Sequence, residues 1–62
     1  MKYYREEHYG NTIWIVDYDK MMYGAYFINQ QKHMPVNGEF TRRDLFDSDI
    51  PLTEEEAFLE ML

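Results

Sequence analysis

The side chains able to do chemistry in this chain are mostly carboxylates. Twelve Asp and Glu stand against six Lys and Arg, with two His and no Cys. Asp44, Asp47 and Asp49 crowd into one short stretch, and an Asp-x-Asp spacing offers the hard oxygen ligands that calcium and magnesium take. That stretch lacks the glycine at the sharp turn and the closing glutamate of a helix–loop–helix calcium site, so a solvated acidic loop explains it better than a metal centre. His8 and His33 are too distant in sequence for a local zinc pair, and no thiolate completes one. Ser48 lies between Asp47 and Asp49. A working hydroxyl needs an adjacent base held by a third group, and a turn or cap accounts for this serine better. Carboxylate pairs for acid–base work need an apolar surround that raises one pKa, and none of the acids is set in an obvious one. The residues predict a non-enzymatic protein with no metal and no cofactor.

The placement of charge is more informative than any single group. From Met1 to Gly38 the acids Glu6, Glu7, Asp17 and Asp19 are balanced by Lys2, Arg5, Lys20 and Lys32. From Glu39 onward Asp44, Asp47, Asp49, Glu54, Glu55, Glu56 and Glu60 join Glu39, and only Arg42 and Arg43 oppose them. The formal net charge of −6 therefore resides in the C-terminal third. Such a field attracts basic surfaces and repels nucleic-acid backbones. Direct nucleic-acid binding is accordingly not expected. Tyrosines on a sheet can stack bases, but phosphates need a line of cations, and Arg42-Arg43 is the only dense basic spot.

A chain of 62 residues is one domain near the lower limit for independent folding, burying only about 60% of the surface its unfolded form exposes. With no disulfide available, the stabilising mass must come from six Tyr, four Phe and Trp14, or from oligomerisation. The N-terminal residues contain no apolar core of a secretion signal, and the longest apolar run, Met21 to Ile28, is far below the ~20 residues of a membrane-spanning helix. An intracellular, cytoplasmic location with no membrane partner is expected.

The elements that must position these groups read as follows. Thr12 to Asp17 alternates Ile13 and Ile15 against Trp14 and Val16, so both faces are apolar and the strand belongs in the middle of a sheet. Residues 2–9 carry tyrosines among charges, which suits an outer strand, with Gly10-Asn11 as the hairpin connection. Asp19 and Lys20 mark the next reversal, and residues 21–28 alternate again around Gly24, a residue that signals a bulge or a close approach by a neighbour such as Trp14. Asn37-Gly38 has the composition of a type I′ turn leading into a short strand at 39–42, and Asp44 to Pro51 reads as a loop anchored by Leu45 and Phe46. Thr53 and Glu56 form a capping-box sequence opening a helix over 54–62, whose stripe Ala57, Phe58, Met61 and Leu62 should lie on the sheet. The fold class is α+β: a small antiparallel meander of three to four strands with one short C-terminal helix packed on one face. One helix shields one sheet face, so a homodimer or higher oligomer is expected to cover the other.

Together these features predict a small acidic protein-binding module. In size and charge alone it is similar to the small acidic proteins of phages and mobile elements that occupy basic grooves on host nucleases as nucleic-acid mimics, the anti-CRISPR and other anti-defence inhibitors among them. The expected partner is a basic, nucleic-acid-binding host protein, a nuclease being the natural case. The expected recognition residues are Asp44, Asp47, Asp49, Glu54, Glu55 and Glu60 for attraction, with Tyr3, Tyr4, Tyr9 and Tyr18 for affinity, since buried aromatics supply interface energy and charge supplies rate. The alternatives are a dimeric sheet-based single-stranded nucleic-acid-binding protein and a self-assembling structural protein.

Overall fold

The two apolar faces of Thr12–Asp17 decide the architecture. In the structure, a computed structural model that describes residues 1–62, this strand is the centre of a five-stranded sheet. The elements are β1 (Lys2–Arg5), β2 (Thr12–Asp17), β3 (Met22–Phe27), β4 (Lys32–Glu39), β5 (Ile50–Leu52) and α1 (Glu54–Glu60), with a single 3₁₀ turn at Ile28–Gln30. The spatial order is β4-β3-β2-β1-β5 and every pairing is antiparallel. The fold is α+β, an open antiparallel sheet with one short C-terminal helix, as the sequence predicts.

Each sheet face has its own core. Ile13, Tyr26 and the helix residue Ala57 are buried together on one face, with Tyr3, Ile28, Leu52 and Met61 packed around them. On the other face Val16 is buried with Phe40 and Phe46, flanked by Tyr4, Trp14, Tyr18, Met21 and Tyr23. Phe40 and Phe46 belong to the segment between β4 and β5, which crosses that face in successive tight turns: Arg42, Asp44 and Phe46 carbonyls accept from the amides of Leu45, Asp47 and Asp49 at 3.1–3.2 Å. The chain then passes round the β1 edge as β5 and reaches the opposite face as α1. The cover expected from a second subunit is thus supplied, over the Val16 end of the face, by the chain itself.

Several local expectations are corrected. The first strand ends at Arg5 rather than at residue 9, because the Glu6 carboxylate turns back to accept from the amides of His8, Tyr9 and Gly10 at 2.8, 2.7 and 3.3 Å. Gly10 completes this turn at φ +69°, a conformation that suits glycine. Nor is β1 an outer strand: β5 pairs along its far side, placing Leu52, Pro51 and Ile50 opposite Tyr3, Tyr4 and Arg5. The sequence of β5 gives little strand signal because it is short and contains a proline, which an edge strand tolerates and a central one does not.

The fourth strand spans Lys32–Glu39, not residues 39–42, and Asn37-Gly38 lies inside it. A type I′ turn needs positive φ at both central residues, and neither Asn37 nor Gly38 has it. The reversal occurs earlier, where Gln31 at φ +50° closes the 3₁₀ turn. Opposite Gly24, β4 bulges: Met34 faces Ala25 and Gly38 faces Tyr23, leaving Pro35, Val36 and Asn37 to span one residue of β3. Gly24 therefore does mark a bulge, but the close neighbour is the β4 backbone rather than Trp14. A Cβ there would stand 2.7 Å from the Met34 carbonyl oxygen and 2.9 Å from Pro35. Gly38 meets the same requirement from a side chain, because the Tyr23 ring occupies the space its Cβ would need, 2.7 Å away.

Candidate functional site

The helix is where unpaired charge and uncovered apolar surface meet. Thr53 Oγ1 accepts from the Glu56 amide at 3.1 Å and a Glu56 carboxylate oxygen accepts from the Thr53 amide at 2.9 Å, so the expected capping box is formed. The Thr53 amide first, and the Thr53 side chain second, hold the Glu56 carboxyl below its usual range. From this start Ala57 and Met61 turn toward the sheet. Glu60 also reaches back, pairing with Arg5, whose other guanidinium nitrogen donates to the Gly10 carbonyl at 3.1 Å. The expected apolar stripe is narrower than its sequence spacing suggests. Phe58 remains about half exposed, its ring edge-on to Tyr3 at 5.8 Å, and Leu62 is 93% exposed. The helix ends at Glu60 with Met61 as its C-cap, so Leu62 no longer follows helical spacing.

Glu54, Glu55, Phe58, Leu59 and Leu62 consequently line one shallow groove of about 440 Å³ on the outside of the helix. Leu59 is 64% exposed, and neither Glu54 nor Glu55 has an ion-pair partner. No basic residue stands in the last turn. Apolar area rimmed by unopposed carboxylates is complementary in charge and polarity to a basic, partly apolar surface.

The remaining acids are arranged differently from what contiguity in sequence suggests. Asp44, Asp47 and Asp49 lie on the turns over the face opposite to α1, so the sheet separates them from Glu54 and Glu55. Asp44 is held by a two-pronged bond from Arg42 at 3.1 and 3.2 Å, which lowers its pKa. Asp49 is half-buried and accepts from the Glu7 amide at 3.2 Å; burial raises its pKa, and Glu7 and Glu6 push the same way against that bond. Asp47 makes no ion pair. No three His, Asp or Glu side chains gather closely enough to hold a metal ion.

Among the tyrosines expected at an interface, only Tyr9 is largely free, at 84% exposure on the β1–β2 turn. Tyr3 lies beneath Phe58, and burial, with Glu54 second, raises its pKa. Tyr4 stacks on Phe46 at 5.8 Å and 11°, and its hydroxyl lies 3.1 Å from that of Tyr18. The Tyr18 phenol is pushed up to about 12 by burial first and by that hydrogen bond second. Arg43 covers its ring at 5.3 Å. These three rings are partly buried and pack against the two cores.

Two surfaces were missed from sequence: the outward edge of α1 at Leu59, and the open half of the loop-covered face around Trp14, Phe27 and Met34. Leu59 falls outside the stripe used to orient the helix. The second surface was signalled only by Pro35, whose missing N–H marks an edge or bulge without showing what lies beside it. No helix is long and apolar enough to cross a membrane. Comparison with protein families, with curated proteins and with solved structures finds no match to this chain.

Proposed function

We propose that this protein is a non-enzymatic binding module that recognises a basic protein through the outer face of α1. The observation that carries this reading is the coincidence of exposed Phe58, Leu59 and Leu62 with unpaired Glu54 and Glu55 on one helical face. Carboxylates of net charge excess speed encounter with a cationic surface, and the apolar side chains between them supply the affinity that exposed charge alone does not. A host protein that itself binds nucleic acid is the partner class this charge favours, and blocking such a protein, in the manner of an anti-defence inhibitor, is the activity we infer. Asp47 and the Arg42-paired Asp44 lie beyond this surface and act on encounter only through the long-range field.

The test is affinity capture from lysate at low and high salt, with the parent chain and with a Glu54→Gln, Glu55→Gln, Leu59→Ser variant. A specific basic protein retained by the parent at low salt, weakened by salt, displaced by duplex DNA and lost by the variant is the expected result. Equal retention by the variant contradicts the assignment to α1.

A further inference from the structure

The part of the loop-covered face beyond Phe40, bordered at one end by Phe46, is an aromatic groove independent of α1. Two hollows lie there, of about 310 and 230 Å³, and Trp14 and Tyr23 stand in the wall of both. Phe27, Met34, Pro35 and Asn37 line the larger hollow, which contains no charged side chain. Leu45, Phe46 and Asp49 line the smaller one. Met34 and Leu45, at opposite ends, are 43% and 46% exposed. Trp14 and Tyr23 meet edge to face at 6.0 Å and together form the ridge between the hollows.

The polar groups on this surface point to the kind of chain that fits it. Trp14, Tyr23 and Asn37 belong to the lining, and their indole N–H, hydroxyl and amide make no hydrogen bond within the protein; Asn37 is exposed and neither of the other two groups is a fully buried orphan. A helical ligand satisfies its own backbone and would leave these donors without acceptors. An added strand would pair along the free edge of β4, but there the bulge at Pro35, Val36 and Asn37 breaks the ladder and Pro35 has no N–H to offer. A polyproline II segment has no internal hydrogen bonds, presents its carbonyls outward, and packs its rings into slots between aromatic side chains. Charge completes the match. Asp49 is the one charged side chain in the lining, accepts the Glu7 amide at one oxygen, and pairs with no Lys or Arg, its charged neighbours being Glu6, Glu7 and His8.

We propose that this groove docks a proline-rich segment of a partner protein, its prolines on either side of the Trp14–Tyr23 ridge and a neighbouring Lys or Arg on Asp49. The site is separate from the α1 surface, and neither depends on the other.

Trp14 is the only tryptophan, so its emission reports on this groove directly. The protein is titrated with a short synthetic peptide of Pro-Pro-x-Pro repeats ending in Arg, and with the same peptide ending in Glu. A saturable change in Trp14 emission is expected, about tenfold weaker in affinity for the Glu peptide, as loss of one charge-assisted contact implies. Asp49→Asn retains the acceptor for the Glu7 amide and should abolish most of that difference. Met34→Lys, at an exposed position, should weaken both peptides, while Leu59→Ser on α1 should change neither. No response to either peptide from a folded protein, or equal binding of the two, overturns the proposal. So does a Trp14 response to a thymidine oligonucleotide or to protein concentration alone, which would assign the groove to nucleic acid or to a second copy.

Discussion

Thr53 and Glu56 satisfy each other's free backbone donors at the start of α1, and Thr53→Ala should cost about 1 kcal/mol in urea or thermal melts, the usual cost of losing a side-chain cap. Glu6 does a comparable task in the β1–β2 turn. Its three amide bonds, Tyr9 first, hold its carboxyl below the ordinary range, so its stabilisation is present above the unfolded-state pKa and is lost as pH falls through the lower folded value. Glu6→Gln should therefore lower stability at neutral pH and flatten the acid limb of a pH–stability curve. Tyr18 acts at the other extreme. With its phenol raised to about 12, the neutral form is favoured in the folded state, so stability is full below about 10 and declines as pH rises toward 12. Tyr18→Phe should lessen that alkaline decline, which equilibrium unfolding between about pH 9 and 12 would read as a shallower slope than the parent's, the remainder coming from Tyr3, whose phenol burial also raises.

At the scale of elements, regular alternation and local capping were legible in the sequence, while long-range closeness was not. β2, β3 and α1 were readable because Ile13, Trp14, Ile15 and Val16 alternate and because a capping box needs only neighbours in sequence. The position of β4 is obscured in the sequence because Asn37-Gly38 has the composition of a turn. Its glycine answers instead to the Tyr23 ring on the adjacent strand, a contact that no local pattern encodes. β5 has only Ile50–Leu52 to announce it, and its existence depends on β1 having a free side. Of the expected contact residues, Glu54 and Glu55 lie on the candidate surface. Tyr4 and Tyr18 were absorbed into packing beneath a loop whose path rests on burial of Phe40 and Phe46. The bulge gives the sharpest test at this scale. Gly24→Ala forces the β4 backbone away and should destabilise by roughly 1–3 kcal/mol, as overpacking does. A melt unchanged by that substitution would mean that β4 does not cross Gly24 as described.

Over the whole molecule, one chain covers its central strand from both sides, the helix on one face and the 40–49 segment on part of the other. That arrangement removes the need for a second subunit over Val16, and sedimentation at micromolar concentration is expected to give a monomer. It also divides the acidic C-terminal third between two faces, so the recognition surface we propose is a local patch on α1 and not the whole negative segment. The most direct measurement of that claim is an amide chemical-shift footprint of the captured basic partner on the labelled protein. Perturbations centred on Glu54, Glu55, Phe58, Leu59 and Leu62, shrinking as salt rises, are the predicted result. A footprint centred on Asp44–Asp49 or on Tyr9, with α1 unperturbed, would contradict it.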